Sequence, residues 1–278
     1  NKLACGDAAI RALLEECIGY CFYRANTFNK AFILTGDKSN GKSTFLKVLT
    51  VLLGEHNVAS LDLKNLGDRF SKASLFGKLA NIGDDISDEF VPDASLFKKI
   101  TDGGRIQVEK KGQDPFEFNP YVKLIFSAND IPRIRDKTGA VLRRLVIIPF
   151  NARFSESDAD YNPNIKSDLT QDTSIEYLIM LGCQGLKRLL ATQKFTISQK
   201  VEEERQAYNI ENNPILAFIE EVGKEGIVNE PTNEVYKRYQ VFCAENNYQP
   251  TSKTLELKTV TGHVMVGKQR KSVKIFNE

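Results

Sequence analysis

The chain has 278 residues, 41% hydrophobic and 27% charged, a balance that suits a folded core and excludes a disordered or fibrous chain. A formal net charge of +2 singles out no polyanionic partner. No apolar run is long enough to cross a membrane and no cleavable signal pattern opens the chain, so no membrane partner is expected.

The length allows one large domain, or a large one with a small companion. Five cysteines (Cys5, Cys17, Cys21, Cys183, Cys243) form no CxxC pair, and neither His56 nor His263 stands near them in sequence. Free thiols in a reducing cytoplasm are expected rather than a metal site. Charge is uneven along the chain: residues 104–150 hold nine Lys/Arg against five Asp/Glu, and residues 251–278 hold six against two. The first residue is Asn rather than Met, which fits a fragment of a longer polypeptide.

Apolar residues at helical spacing predict a helix over 7–25. KAFILTG (30–36) reads as a strand buried in a parallel sheet, and KSTFLKVLTVLLG (42–54) as a helix closing on glycine. A short helix is expected around 66–76, a strand over 78–83 and a helix over 91–103. RIQVEKKGQDPFEF (105–118) alternates around KKGQD, as a β-hairpin with Gly112 in its turn would. YVKLIFSA (121–128) and RLVIIPF (144–150) complete the set of apolar strands. Strands alternating with helices predict an α/β fold, a parallel sheet flanked by helices on both faces.

Beyond Phe150 a polar loop is expected over 152–172, then helices over 174–190 and 197–208 that cap the sheet domain. The segment IENNP (210–214) reads as a joint, because a residue before proline leaves the helical region. The expected domains are therefore 1–209 and 210–278. The second holds helices over 215–223, 232–246 and 252–259, then a basic β-prone end.

LTGDKSNGKSTF holds Gly36-x-x-x-x-Gly41-Lys42-Ser43, the P-loop pattern, between a predicted strand and a predicted helix. Glycines let successive N–H groups from Gly36, Asp37, Lys38, Ser39, Asn40 and Gly41 turn toward a phosphate, and the helix that starts with Lys42, Ser43 and Thr44 adds its dipole. Lys42 would reach the outer phosphates of ATP and the Ser43 hydroxyl would ligate Mg²⁺. A chance Gly-Lys turn is the bland alternative, and the strand-loop-helix context argues against it. About forty residues on, a second strand ends in Asp84-Asp85. An acidic turn would explain the pair alone. Behind a P-loop, Asp84 suits the Mg²⁺ shell, and which of Asp84 and Asp85 activates water stays open.

The third strand runs into SANDIPRIRDKTGAVLRRL (127–145). Asn129 is placed to hold the attacking water or sense the γ-phosphate. Taken alone it is a turn former, and Arg143-Arg144 alone is a solvated face. After the P-loop and the acids, one arginine becomes a candidate finger for a neighbouring subunit's nucleotide.

GDKSNGKST (36–44), NIGDDISD (81–88), FKKITDGGRIQVEKKGQDPFEF (97–118) and KLIFSANDIPRIRDKTGAVLRRLVIIPF (123–150) together resemble superfamily 3 helicases of the AAA+ class. The resemblance is to the C-terminal helicase part of phage and plasmid primase-helicases, related to the poxvirus primase-helicase. It covers about 115 residues tightly and the tail more loosely. It implies a homo-oligomer, a hexameric ring, acting in a bacterial host on single-stranded and forked DNA, with room for a primase or polymerase domain elsewhere in a longer chain. It also implies that Arg144 is the finger, with Arg143 the alternative. The hairpin would grip DNA through Lys110, Lys111 and Gly112 at its tip and Arg105 at its base. Lysines at a turn tip suit phosphate contacts without sequence preference, although exposed tips carry lysine anyway.

The terminal unit resembles a winged helix, with Lys253, Lys258, Lys268, Arg270 and Lys271 as candidate DNA contacts. Protein docking is an equal alternative for it. Two other functions compete with a helicase. An ATP-switched initiator or loader would keep every nucleotide residue without separating strands. A small-molecule kinase would need an acceptor pocket and an arginine-rich lid, where this sequence offers a sensor-like Asn and a basic hairpin.

Overall fold

The computed structural model describes residues 1–250 except 92, 135, 137, 224, 225, 228 and 229. Among them the strands are β1 (Ala31–Thr35), β2 (Val58–Ala59), β3 (Ala80–Gly83), β4 (Ile106–Val108), β5 (Phe116–Phe118), β6 (Lys123–Ser127) and β7 (Leu145–Pro149). Five of them make a parallel sheet in the order β2-β3-β6-β1-β7, while β4 and β5 pair antiparallel as a separate hairpin. The hairpin is inserted between β3 and β6, which are neighbours in the sheet. β1 lies between β6 and β7, with Phe32 opposite both Ile125 and Val146. Every residue of β1, β3, β6 and β7 is buried, which explains why these runs are mostly apolar rather than alternating, with Thr35, Asn81, Lys123 and Ser127 as buried polar exceptions.

The helices of the first compact unit, residues 1–205, begin with α1 (Ala8–Phe22), α2 (Lys42–Leu53) and α3 (Ser95–Thr101). They continue with α4 (Ile165–Asp168), α5 (Asp172–Thr192) and α6 (Gln199–Asn212), the last running into the second unit. Side chains of α1 and α2, with Leu189 of α5, pack against Phe32, Leu34, Ile125, Val146 and Ile148 in one core. No helix among the described residues is long and apolar enough to cross a membrane.

α1 and α5 cross through glycines. A Cβ on Gly19 would stand 2.2 Å from the carbonyl oxygen of Gly182, and one on Gly185 would stand 2.3 Å from that of Glu15. Neither backbone can yield without moving a helix. Beside the crossing, Glu16 is fully buried and accepts from Arg188 Nε (2.6 Å), Thr196 N (2.7 Å) and Thr196 Oγ1 (2.8 Å). Gly185→Ala is expected to lose about 1–3 kcal/mol of stability through overpacking, read as a lower urea midpoint. An unchanged midpoint would mean the helices can separate freely.

A buried lysine ties the sheet to the end of α1. Lys123 donates to the carbonyls of Tyr23 (2.8 Å), Ala25 (3.0 Å) and Tyr121 (2.6 Å) and to Asn26 Oδ1 (2.7 Å), with its ammonium 4.3 Å from the Tyr20 ring centre. Four acceptors satisfy the ion where water cannot.

Several expected elements differ. The helix predicted over 66–76 is two 3-10 turns, Leu63–Gly67 and Ser71–Leu75, each burying only two side chains. The helix predicted over 91–103 spans only Ser95–Thr101, because Val91 instead bridges to Ile134 in extended conformation. The loop expected over 152–172 contains α4.

The second unit covers residues 206–278, against the expected boundary at 210. Inside this unit the break between helices falls at Asn213, since α6 reaches Asn212 and α7 (Pro214–Val222) starts at once. Asn213 caps α7 by accepting from Ile215 N (3.0 Å) and Leu216 N (3.4 Å), and Pro214 fills the first helical position. Phe218 of α7 packs on Tyr239 and Phe242 of α8 (Thr232–Glu245). The third helix and basic strand end expected beyond 250, with Lys253, Lys258, Lys268, Arg270 and Lys271, lie outside the described residues.

Candidate functional site

In a parallel sheet, residues that follow the strands collect at one end. Gly36 follows β1, Asp84 and Asp85 follow β3, and Asn129 comes two residues after β6. The structure brings these groups together. Lys42, at the start of α2, is buried and donates to the Gly36 carbonyl, to the Asp37 carbonyl (3.0 Å) and to Asn129 Oδ1 (3.3 Å). The Asn129 amide in turn donates to Asp85 Oδ1 (3.3 Å). Desolvation lowers the Lys42 pKa from its ordinary value, and the carboxylates of Asp85, Asp84 and Asp37 oppose that shift.

Asp84 Oδ1 accepts from Ser127 Oγ (2.5 Å) and lies 3.3 Å from Ser43 Oγ, which donates to it. Ser127 Oγ also accepts from Asp85 N–H (2.8 Å). Ser127 therefore fixes both acids, and the backbone of Asp85 takes a left-handed conformation (φ 54) to allow it. The sequence reading missed Ser127, whose only signal is a hydroxyl at the end of an apolar strand.

The loop from Gly36 to Gly41 has the features of an anion site. Gly36 stands at φ 130, and a Cβ there would meet Asn40 Nδ2 and the Phe150 carbonyl oxygen at 2.5 Å each. The N–H groups of Lys38, Ser39, Asn40 and Gly41 donate to no group among the described residues. Asn40 is 4% exposed, and its Nδ2 is buried without a partner. A donor buried as the Asn40 amide is costly in a folded protein unless something accepts from it, and the backbone N–H groups beside it are open to an incoming acceptor. An oxyanion on the loop fits, with a cation held between Ser43 and Asp84. Thr44 lies one place further along α2. The cleft over the loop has a volume of about 500 Å³ and is lined by Asp37, Lys38, Asn129 and Arg153. Arg153 was also missed by the sequence reading, where nothing in its spacing marks it.

Arg143 and Arg144 precede β7 and so stand at the opposite end of the sheet. Five residues of strand rise about 16 Å, beyond the reach of an arginine from there to its own P-loop. Arg144 is held within its chain: Nε and Nη2 donate to Asp102 Oδ1 (2.9 Å) and Oδ2 (2.6 Å), and Nη1 donates to the Ala140 carbonyl (2.6 Å). Arg143 is exposed, and its guanidinium makes no bond among the described residues.

The hairpin turn is closed by Gln113 N–H donating to the Lys110 carbonyl (3.0 Å), with Gly112 at φ 75 in the third position, where glycine is favoured. Lys110 and Lys111 are exposed at its tip. Arg105 at the base pairs with Glu117 (2.7 Å) on the facing strand. The hairpin is braced from outside: Phe76 meets the Phe116 and Phe118 rings at 5.1 Å, and Arg69 forks onto Glu109 at 2.8 and 3.0 Å.

Known proteins match parts of this chain. Residues 34–144 match the "Family of unknown function (DUF5906)", and residues 210–264 match the family "Poxvirus D5 protein-like". "Putative helicase 184R" of Invertebrate iridescent virus 6 is 31% identical over 160 residues, covering 53% of this chain. "Putative helicase 121R" of Invertebrate iridescent virus 3 is 23% identical over 245 residues, covering 77% of it. The chain is thus similar over part of its length to viral proteins named as putative helicases. It spans only 16% and 26% of the length of those two proteins. The apo structure of the NrS-1 C terminal region superimposes with a TM-score of 0.61 over 99% of this chain and 73% of that one, at 15% identity. That likeness is one of fold.

Proposed function

We propose that the chain is the motor part of an ATP-dependent DNA helicase that serves replication of a virus, phage, plasmid or other mobile element. It works as a ring, of six subunits as in the superfamily, with ATP bound between neighbours. In this reading the free N–H groups of Lys38 to Gly41, the Asn40 amide and Lys42 hold the phosphates. Ser43 and Asp84 hold Mg²⁺, which offsets phosphate charge when bound. Asp85 or Asp84 takes the proton of the attacking water, and Asn129, joined to both Lys42 and Asp85, orients that water or reads the γ-phosphate.

The observation that carries the oligomeric reading is the position of the arginines. A site with Lys42, Asp84, Asp85 and Asn129 at one end of the sheet and its candidate finger at the other is complete only between two copies. The inserted hairpin favours a DNA motor over a small-molecule kinase. Its lysine tip is connected through the chain on one side to the acids after β3 and on the other to Asn129 after β6.

Unwinding of a forked duplex tests the function. Strand separation is expected with ATP and Mg²⁺ and none with ADP. ATP-dependent DNA binding without separation would leave an assembly switch in place of a helicase. Lys110→Ala with Lys111→Ala should weaken single-stranded DNA binding similarly across sequences. The slope of log affinity against log salt should fall by about 1.4 in magnitude, at roughly 0.7 for each phosphate no longer neutralised. An unchanged slope would remove the tip from the DNA path.

A further inference from the structure

We propose that Arg153 is a second arginine of the nucleotide site, acting within its own subunit on the terminal phosphate; this rests on the ATP-binding reading above. Arg153 comes four residues after β7, at the same end of the sheet as Gly36 and Asn129 and opposite to Arg144. The segment carrying it is fastened to the P-loop strand at one end and to the P-loop itself at the other. Phe150 N–H donates to the Thr35 carbonyl (2.8 Å), and Phe154 N–H donates to the Ser39 carbonyl (3.1 Å). Phe154 also packs over the loop, its ring 3.2 Å from where a Cβ on Gly41 would stand. Arg153, between these two fastenings, lines the cleft with Asp37, Lys38 and Asn129.

The guanidinium of Arg153 makes no hydrogen bond or ion pair among the described residues. Of the other cations named, Lys42 is engaged by two carbonyls and Asn129 and Arg144 by Asp102, while Lys38 stands exposed in the same cleft. The phosphate end of the cleft gathers three carboxylates, Asp37, Asp84 and Asp85. Against them stand Lys38, Lys42 and Arg153. Without Arg153 the acids outnumber the bases, and a bound Mg²⁺-triphosphate still carries negative charge. A planar fork that donates two parallel bonds to a phosphate suits that deficit better than a mobile lysine does. An exposed arginine is ordinarily only solvated. A solvated one need not lie on a segment tied at both ends to the P-loop and its strand.

The test is equilibrium binding of Mg-ADP and of a non-hydrolysable ATP analogue to wild type, Arg153→Ala and Arg153→Lys. Loss of a charge-assisted bond predicts analogue affinity about 10- to 100-fold weaker in Arg153→Ala, with ADP affinity changed far less and partial recovery in Arg153→Lys. Mixing then tells own-subunit from neighbour action. Arg153→Ala mixed with Lys42→Ala should regain no ATPase, because each subunit's own site stays defective. Affinities equal to wild type, an equal loss for ADP and analogue, or ATPase regained on mixing would each overturn the proposal. Wild type that binds neither nucleotide would instead sink the ATP reading, and the proposal with it. The side chain is exposed, so a melting curve matching wild type should accompany either variant.

Discussion

Lys42→Ala is expected to reduce ATP hydrolysis by about 10²–10³-fold or more, the scale seen when a preorganised group that stabilises developing charge is removed, and to abolish unwinding with it. The side chain is 7% exposed, and its three partners are the carbonyls of Gly36 and Asp37 and the amide oxygen of Asn129. Without the ammonium those oxygens still crowd together, and nothing draws them inward. The loop therefore loses both its main charge and the tie that keeps it curled, and Asn129 loses the bond that aims it. The fold should survive, since the sheet core lies away from the loop, so the melting temperature without nucleotide should stay near wild type. The added stability that Mg-ATP gives wild type by mass action should vanish. Phosphate release and melting with and without nucleotide decide this together. A folded variant that hydrolyses ATP at the wild-type rate would dismiss the loop as the reaction site.

How far the sequence reveals this site depends on whether neighbours in space are neighbours along the chain. The P-loop is local: strand, glycine turn and helix lie within one stretch, and all its named residues fall where the pattern puts them. The acid pair and Asn129 are legible because each ends an apolar strand, and a parallel sheet gathers strand ends without further information. The hairpin is legible because alternation and a glycine turn are local too.

What escapes is long-range. Asp102 holds Arg144 from forty-two residues away, and no spacing announces the pair. Gly19, Gly182 and Gly185 look like helix-weakening residues until the two helices are seen to cross on them. Lys123 reads as an irregularity in a strand, and only the carbonyls at the end of α1 explain it. The expected helix over 66–76 fails for a local reason: Gly67-Asp68 interrupts the pattern, and two turns bury Leu63, Leu66, Ala73 and Leu75 without a continuous helix.

Arg144→Ala is expected to lower ATPase by about 10³-fold, the lower range for removal of an arginine finger, and the loss should be shared out between subunits. Mixed with Lys42→Ala, it should partly recover, because a Lys42→Ala subunit still offers Arg144 to a neighbour whose own P-loop is intact. The ion pair with Asp102 adds a complication that can be turned to use. Arg144 is 15% exposed on its side chain and Asp102 38%, so removing either breaks a partly shielded fork. Asp102→Asn should then share whatever stability loss Arg144→Ala suffers, but it leaves the guanidinium available and should keep most of the hydrolysis. Arg143→Ala completes the set. If that variant alone loses activity and recovers on mixing, Arg143 is the finger and the Asp102 pair is structural. If Arg144→Ala loses it, Asp102 is the group the arginine must leave to reach a neighbouring phosphate. Hydrolysis per subunit would then climb with protein concentration in wild type, and climb at lower concentration in Asp102→Asn, where nothing competes for the fork.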